Sequence, residues 1–435
     1  MFSYFFRLAL RNLQRSPVMT ILMVLAIAVG VATSVTSLTV LRILSGNPLP
    51  DRGDRLFYVQ LEPRTNADRG SDPEPPTVLN YADATYLMEA KRADRQAMMV
   101  PGIATIFPDD PNLQAVVAQA WFTSADFFPM FGPPFQYGSA WSAADDDAAA
   151  RVAVISNSLN EKLFKGENSI GRTLIIGDVE FRIAGVLSPW QLKPEVYQAP
   201  AGSRSYGNMT DIYIPFASAR SAQLATSGHV SCYTDDPGPA HLEHSTCLWL
   251  TLWVELDSPA KVAAFHDYLV DYSNQQRTTG RYQGPANVRL RNVMQLLDAL
   301  NVVPRDVHLQ TWLAFGFLVV CVLNTVGLLL AKFLRRSGEI GLRRALGASR
   351  NDIFAQFITE AGVVGLAGGC LGLALTFLCL TWMGQRPQDY ASLIHADTVT
   401  VVLTFVISVI ASLLAGLLPA WRACGITPAL QLKGG

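Results

Sequence analysis

Four long stretches of the chain contain no charged residue, and they are separated by segments in which polar and apolar residues mix. The uncharged stretches are residues 16–41, 309–331, 361–385 and 398–421. A helix needs about 20 apolar residues to cross the hydrocarbon core of a bilayer. The pattern therefore predicts four transmembrane helices, at 17–41, 309–331, 361–385 and 398–421. The first stretch exceeds the apolar core of a signal peptide and precedes no small-residue cleavage site, which indicates an uncleaved anchor.

Basic residues near these stretches predict the orientation of the chain. Arg7, Arg11 and Arg15 precede the first span, six Lys or Arg residues lie in the loop 332–360, and the tail 422–435 is also basic. Basic loops stay in the cytoplasm. We therefore expect both termini in the cytoplasm, residues 42–308 outside, and a short outer hairpin at 386–397. The arginines recur every four residues, so residues 1–16 are expected to form an amphipathic helix at the membrane surface.

The region 42–308 is too long for a loop and is expected to fold as an α+β domain. Its pattern predicts strands at 55–62 and in CLWLTLWVEL, helices at 80–93 and from Pro259, and a hairpin that turns at Gly177 and Asp178. Residues 191–247 are rich in Pro, Gly and Ser, and we expect a mobile lobe there. A helix near 291–303 leads into the second span, where continuity would give a stiff stalk.

Composition and motifs argue against several functions. The net charge is −1, whereas nucleic-acid binders carry a basic surface. Neither a G-x-x-x-x-G-K-[ST] phosphate loop nor a G-x-S-x-G elbow occurs. The spans lack ionisable residues at their centres, which argues against a proton-driven carrier. We therefore predict a chain that is not an enzyme and binds no cofactor or metal.

Two of the six cysteines, Cys232 and Cys247, lie in the predicted outer region within one loop. An oxidising compartment favours a disulfide between them. His229, His241 and His244 are close in sequence, so a zinc site is an alternative, although the spacing matches no standard finger. Free thiols are the third alternative.

The third span contains glycines at helical spacing. Gly365 and Gly369 form one small-xxx-small pair, and Gly368 and Gly372 form another. This spacing lets helix backbones approach closely, so we predict helix packing at these residues.

The segment EIGLRRALGASRNDIF begins at Glu339, between the second and third spans. Residues 339–346 favour a short helix that Gly347 would end. Ser349, with Asp352 three residues later, is typical of a helix start. Positive charge alone would hold this loop inside. A capped short helix indicates in addition a rigid surface on which a cytoplasmic partner docks.

This segment and the span after it resemble the cytoplasmic loop and third span of MacB-type ABC transporter permeases, in the wider FtsX-like permease group. The stretches ALRNLQRSPVMTILMVLAIAVGVA, FFPMFG, VAVISNSLNEKLFKGENSIGRTLIIGDVEFRIAGVL and LLPAWRACGITPALQLK also resemble that family. The resemblance covers nearly the whole chain except the region 191–247.

The resemblance implies a multi-pass protein of the bacterial inner membrane that dimerises with an identical or sibling permease. The short cytoplasmic helix of such permeases docks onto an ATPase subunit, and ATP-driven motion reaches the periplasmic domain, which is called mechanotransmission. The residues that match this docking helix are Glu339, Arg343, Arg344, Gly347, Ala348, Ser349 and Arg350.

MacB itself carries its ATPase on the same chain, whereas no such domain precedes the first span in this sequence. We therefore expect ATP and Mg²⁺ on a partner ABC ATPase, and efflux of a peptide, a drug or a similar substrate. A periplasmic adaptor and a TolC-like outer-membrane duct are further expected partners. Extraction of lipoproteins, as in the related LolC/LolE permeases, and regulation of a periplasmic partner, as by FtsX, are the alternatives.

Overall fold

A computed structural model describes residues 16–108, 114–192, 194–198, 200, 210–233, 238–302, 305–335, 338, 342, 346–347, 349–385 and 398–424. The chain divides into two units. One is an α+β domain, Gly46–Val302, and the other, which we call the membrane unit, is formed by the described residues before and after it. The predicted surface helix 1–16, the hairpin 386–397 and most of the tail 422–435 lie outside the described residues.

Helices and strands are numbered in chain order. The helices are α1 Pro17–Leu44, α2 Asn66–Arg69, α3 Tyr81–Ala90, α4 Phe127–Phe131, α5 Ala143–Asp147, α6 Asn157–Phe164, α7 Phe216–Ser221, α8 Pro259–Thr278, α9 Val293–Ala299, α10 Arg305–Arg335, α11 Arg350–Gly384 and α12 Thr398–Cys424. The strands are β1 Leu56–Gln60, β2 Leu79–Asn80, β3 Arg95–Phe107, β4 Val116–Thr123, β5 Phe135–Gly138, β6 Val152–Ile155, β7 Thr173–Ile176, β8 Val179–Leu187, β9 Ile212–Pro215, β10 Leu248–Glu255 and β11 Arg289–Asn292. A 3₁₀ helix spans Pro239–His244.

One mixed sheet organises the α+β domain. Its strand order is β11-β1-β10-β3-β4-β9-β6-β8-β5, with β2 paired to β10, and β7 paired to β3 and β8. The pairs β4–β9 and β6–β8 are parallel, and the other pairs are antiparallel. The expected α+β class is confirmed, and the domain lies between the first and second membrane helices.

Both faces of the sheet are covered by apolar side chains. Successive residues of a strand point to opposite faces. On β1, Phe57 and Val59 pack into one core, and Leu56 and Tyr58 pack into the other. This double burial explains why β10 reads as a nearly continuous apolar run, every residue of which is buried.

The expectation of a mobile lobe at residues 191–247 is wrong for its middle part. Strand β9 lies inside the sheet, where it pairs with β4 on one side and β6 on the other. All four of its residues are buried. Only a strand of the main core has neighbours on both edges and cover on both faces.

The expected continuity between the helix near 291–303 and the second span is also wrong. Helix α9 ends at Ala299, and Asn301 follows with a φ of 49°. A left-handed residue ends a right-handed helix. The next helix, α10, begins at Arg305.

A buried carboxylate joins α3 to the segment after α8. Asp83 is fully buried, and its oxygens accept hydrogen bonds from Tyr272 Oη at 2.7 Å, Tyr282 Oη at 2.6 Å, Arg281 Nη2 at 2.8 Å and Asn80 Nδ2 at 2.7 Å. Four donors compensate for the lost hydration of the charge. The Asp83 cluster therefore ties together elements that are far apart in sequence.

The membrane unit contains the four helices α1, α10, α11 and α12, each long and apolar enough to cross a membrane. The prediction of four transmembrane helices is thereby confirmed. Hydrogen bonds also connect these helices. Ser34 Oγ on α1 donates to the carbonyl oxygen of Ala314 on α10 at 3.0 Å. Thr39 and Thr400 join α1 and α12, with their hydroxyl oxygens 3.3 Å apart.

Candidate functional site

A buried ion pair connects α10 to α11 close to the segment between these helices. Lys332, in the last turn of α10, donates to Glu360 Oε1 on α11. The two side chains are 2% and 0% exposed. Burying two charges is costly, and their mutual attraction offsets that cost only while both are present. The pair therefore fixes the spacing of the two helices that carry the intervening segment.

Glu360 has more hydrogen-bonding capacity than this pair uses. Its second oxygen, Oε2, is buried and has no hydrogen-bond partner among the described residues. A lone buried acceptor of this kind costs about 1–3 kcal/mol. Glu360 thus depends on Lys332 for the compensation of its charge.

The start of α11 has a complete capping box. Ser349 Oγ accepts from the backbone N of Asp352 at 3.2 Å, and the backbone N of Ser349 donates to Asp352 Oδ2 at 3.2 Å. Both donors would otherwise be unsatisfied at a helix N-terminus. The next residue, Arg350, is exposed as the first residue of α11.

A turn precedes this cap. The backbone N of Leu346 donates to the carbonyl oxygen of Leu342 at 3.0 Å, and Gly347 has a φ of 102°. A side chain is strained at this φ, so glycine suits the position. Of the residues predicted for docking, the structure places Gly347, Ser349 and Arg350 in this turn and cap. Glu339, Arg343, Arg344 and Ala348 lie outside the described residues.

Two leucines of the same segment are exposed, and sequence reasoning missed them. Leu342 is 61% exposed and Leu346 is 80% exposed. Residues four apart share one face of a helix. Their spacing of four residues is the signal that the sequence carries, whereas the docking prediction rests on the Gly347 stop and the Ser349 cap.

The four glycines of the third span lie on two sides of α11. Gly365 and Gly369 face α12: a Cβ atom at Gly365 would lie 2.6 Å from Ser412 Cβ, and one at Gly369 would lie 2.5 Å from Ser408 Oγ. Real Cβ atoms do not approach other atoms this closely. The two helices therefore touch along a stripe where neither has room for a larger residue.

Gly368 and Gly372 face α1. A Cβ atom at Gly368 would lie 2.9 Å from Ile27 Cγ2, and one at Gly372 would lie 3.3 Å from the carbonyl oxygen of Ala28. Helix α11 is thus held closely on both sides within one chain.

Replacing Gly365 with alanine is expected to destabilise the membrane unit by about 1–3 kcal/mol, because the new methyl group overpacks the contact with Ser412. Gly362→Ala is the matched control, since no atom lies within 4 Å of the Cβ position there. Thermal unfolding of the purified chain in detergent compares them. An equal midpoint for both variants would contradict the prediction.

In the α+β domain, Cys232 and Cys247 form a disulfide that closes a loop of sequence separation 15. Cys247 is buried and directly precedes β10. The bond fixes the chain at the point where it enters the centre of the sheet.

Comparison with protein families accounts for both units. Residues 20–272 match the model of the MacB-like periplasmic core domain. The chain belongs to the MacB-like permeases. Residues 312–428, which include the ion pair and the capped turn, match the FtsX-like permease C-terminal model.

The permease is similar to longer proteins. It is 24% identical over 357 residues to the macrolide export ATP-binding/permease protein MacB of Shewanella oneidensis, covering 80% of this chain and 48% of that protein. It is 27% identical over 315 residues to the pyoverdine export ATP-binding/permease protein PvdT of Pseudomonas aeruginosa, covering 71% and 41% respectively. The chain spans about half the length of the curated relatives it matches.

Among solved structures, the periplasmic region of MacB from Actinobacillus actinomycetemcomitans aligns with 60% of the permease chain and 97% of its own, with 14% identity and a TM-score of 0.37.

The ion pair of the permease is the feature that sequence reasoning missed most clearly. Lys332 lies among the basic residues of the predicted loop 332–360, and Glu360 lies one residue before the predicted third span. Both fall just outside the uncharged stretches, so a search within those stretches passes over them. Their helices extend beyond the stretches and bring the two side chains together.

Proposed function

We propose that this chain is the permease subunit of an ABC exporter, in which a separate ATPase subunit docks on the segment between α10 and α11. The observation that carries the proposal is the exposed Leu342 and Leu346 beside the Gly347 turn and the Ser349 cap. Exposed apolar side chains on a rigid turn are typical of a protein contact. Arg350, exposed at the start of α11, adds a positive charge next to these residues.

The energy source in this proposal is ATP hydrolysis on the partner. The similar MacB and PvdT proteins are named as ATP-binding/permease proteins, which supports ATP as the energy source. In this proposal, ATP and Mg²⁺ bind to the ATPase subunit. The Lys332–Glu360 pair lies on the two helices that flank the docking segment, so it would pass a displacement of that segment into the membrane unit.

The proposal also includes the location of the protein in the cell and the subunits with which it assembles. Basic residues near the spans support an orientation in which both termini and the docking segment are cytoplasmic. The α+β domain of this inner-membrane protein would then lie in the periplasm. Two permease subunits would form the dimer, and motion of the α+β domains would expel a peptide, a drug or a similar molecule. A periplasmic adaptor and an outer-membrane duct would complete the path.

Replacing Gly347 with valine is expected to abolish docking, because a β-branched residue is strained at a φ of 102° and the turn has to change. The tagged full chain is purified from its native membrane, and the co-purified ATPase subunit is identified by mass spectrometry. We expect the wild type to retain that subunit and Gly347→Val to lose it. Leu346→Glu, which keeps the turn but places a charge in the contact, is expected to lose it as well.

Gly316→Val on α10 is the control, since no atom lies within 4 Å of the Cβ position at Gly316. This variant should keep the ATPase subunit. Retention of the ATPase by both Gly347→Val and Leu346→Glu, or absence of any ABC ATPase from the wild-type preparation, would refute the proposed docking site.

A further inference from the structure

A small cavity lies in the α+β domain where β8 ends and β9 begins. Its lining includes Ser188, Trp190, Glu195, Tyr197, Thr210 and Tyr213, and its volume is about 60 Å³. A buried water needs about 10–15 Å³ on this measure. The space therefore exceeds that of a single water molecule. We call it the Glu195 cavity.

Glu195 is an unusual residue for such a place. It is 1% exposed. Its Oε1 accepts a hydrogen bond from Gln191 Nε2 at 3.3 Å, whereas its Oε2 is buried without a hydrogen-bond partner among the described residues. A glutamine would fill the same volume without a charge. A buried acid with a free oxygen beside a cavity indicates a group that a ligand completes.

Aromatic rings form much of the remaining wall. The rings of Trp190 and Tyr197 are nearly parallel, at 2° with their centroids 6.3 Å apart. The hydroxyl oxygens of Tyr197 and Tyr213 are 3.3 Å apart, and that of Tyr197 is 3.4 Å from Thr210 Oγ1. Aromatic faces attract organic cations, and hydroxyl oxygens accept hydrogen bonds from ammonium groups.

The burial of the lining residues shows which end of the cavity is buried and which end opens to the surface. Glu195, Tyr197 and Tyr213 are buried, whereas Ser188 and Trp190 are partly exposed. The carboxyl group therefore lies at the inner end, and residues 188–190 form the mouth. A ligand would place its cationic end inside and leave the rest of the molecule at the surface.

We propose that the Glu195 cavity binds the primary ammonium group of a ligand with an unbranched alkyl stem. The ammonium group donates to the free Oε2 of Glu195, and the stem lies along Trp190. A divalent metal ion is disfavoured because Glu195 is the one carboxylate among the described lining residues, whereas such ions take several charged oxygen ligands. This site does not depend on the proposed transport function, since it needs neither ATP nor a partner.

The first test is titration of the purified full chain with n-butylammonium chloride in detergent, followed by calorimetry. We expect saturable binding in the millimolar range and a loss of at least about tenfold in affinity for Glu195→Gln. The neutral n-butanol, added at equal ionic strength, should bind no better to the wild type than to Glu195→Gln. Equal affinity of n-butylammonium for both proteins, or no binding, would overturn the proposal.

The pH dependence provides a second readout. Burial raises the pKa of Glu195 to about 8. The ionised carboxylate is the form that attracts a cation, while an alkylammonium stays charged to about pH 10. Affinity should therefore increase as the pH rises from 6 to 9 in the wild type and stay flat in Glu195→Gln. A flat profile in both would count against the site.

A variant that keeps the carboxylate separates binding from folding. Ser188→Trp narrows the mouth and leaves Glu195 in place. We expect it to lose n-butylammonium binding while its unfolding midpoint without ligand stays near that of the wild type. Unchanged binding in this variant would place the ammonium group elsewhere.

Discussion

Replacement of Lys332 with methionine is expected to destabilise the membrane unit by about 3–5 kcal/mol, because it leaves the buried Glu360 carboxylate without its partner. The methionine side chain has nearly the volume of the lysine stem, so packing is largely kept. The loss is therefore electrostatic, and it should appear as a lower midpoint of thermal unfolding in detergent.

The double variant Lys332→Met with Glu360→Met separates the charge from the packing. Replacing a buried ion pair by apolar residues is often neutral or stabilising, so the double variant should be more stable than either single variant. Arg335→Met is the matched control, since Arg335 is exposed in the same last turn of α10. Its effect should stay within about 0.5 kcal/mol. A double variant less stable than Lys332→Met would refute this account.

The same variants distinguish stability from coupling. If the pair passes displacement from the docking segment into the membrane unit, the stable double variant should keep its ATPase subunit and lose the stimulation of ATP hydrolysis by transported substrate. Full stimulation in that variant would limit the pair to a role in stability.

Replacing Asp83 with alanine is expected to destabilise the α+β domain by a similar amount, about 3–5 kcal/mol. The change leaves the buried hydroxyl groups of Tyr272 and Tyr282 and the guanidinium of Arg281 without their shared acceptor. Denaturant unfolding followed by tryptophan fluorescence reports on this domain, because its buried tryptophans include Trp121, Trp249 and Trp253.

Two further variants grade the effect of the Asp83 cluster. Tyr282→Phe removes one donor and leaves three, so it should cost about 1–2 kcal/mol. Asp267→Ala, on the exposed face of α8 with 82% of its side chain accessible, should change little. An Asp83→Ala variant no less stable than Asp267→Ala would show that solvent or rearrangement replaces the cluster.

Local patterns predicted the elements whose signals lie in consecutive residues. The Gly177 turn, the Pro259 start of α8 and the Ser349 cap of α11 are all present. Each depends on backbone preferences of a few residues, which the sequence carries directly.

Strand β3 shows where such reasoning fails. It contains Pro101 and Gly102, which are typical of a turn. In the structure, the carbonyl oxygen of Pro101 accepts a hydrogen bond from the backbone N of Ser227. The backbone N and O of Pro101 therefore point towards residues 225–227 and away from β4. The missing N–H of proline therefore removes no hydrogen bond to β4. A strand can therefore contain Pro101 and Gly102 here only because of its tertiary partners, which the local sequence does not reveal.

The residues of the candidate sites also divide into those that local sequence predicts and those that depend on tertiary packing. Cap and turn residues were predictable, because their partners are three or four positions away. The pairing of Lys332 with Glu360, and the placement of Glu195 beside Trp190 and Tyr213, depend on how separate elements pack. No spacing in the sequence encodes those distances.

The position of β10 has a consequence for the biogenesis of the protein. This strand lies between β1 and β3, which do not pair with each other. During synthesis, the first strands emerge long before Glu255, and until then both of them have an unpaired edge. Unpaired strand edges invite association with other chains. A nascent chain that stalls before residue 255 is therefore exposed to aggregation. The Cys232–Cys247 bond anchors the chain at the residue directly before the strand that removes this risk.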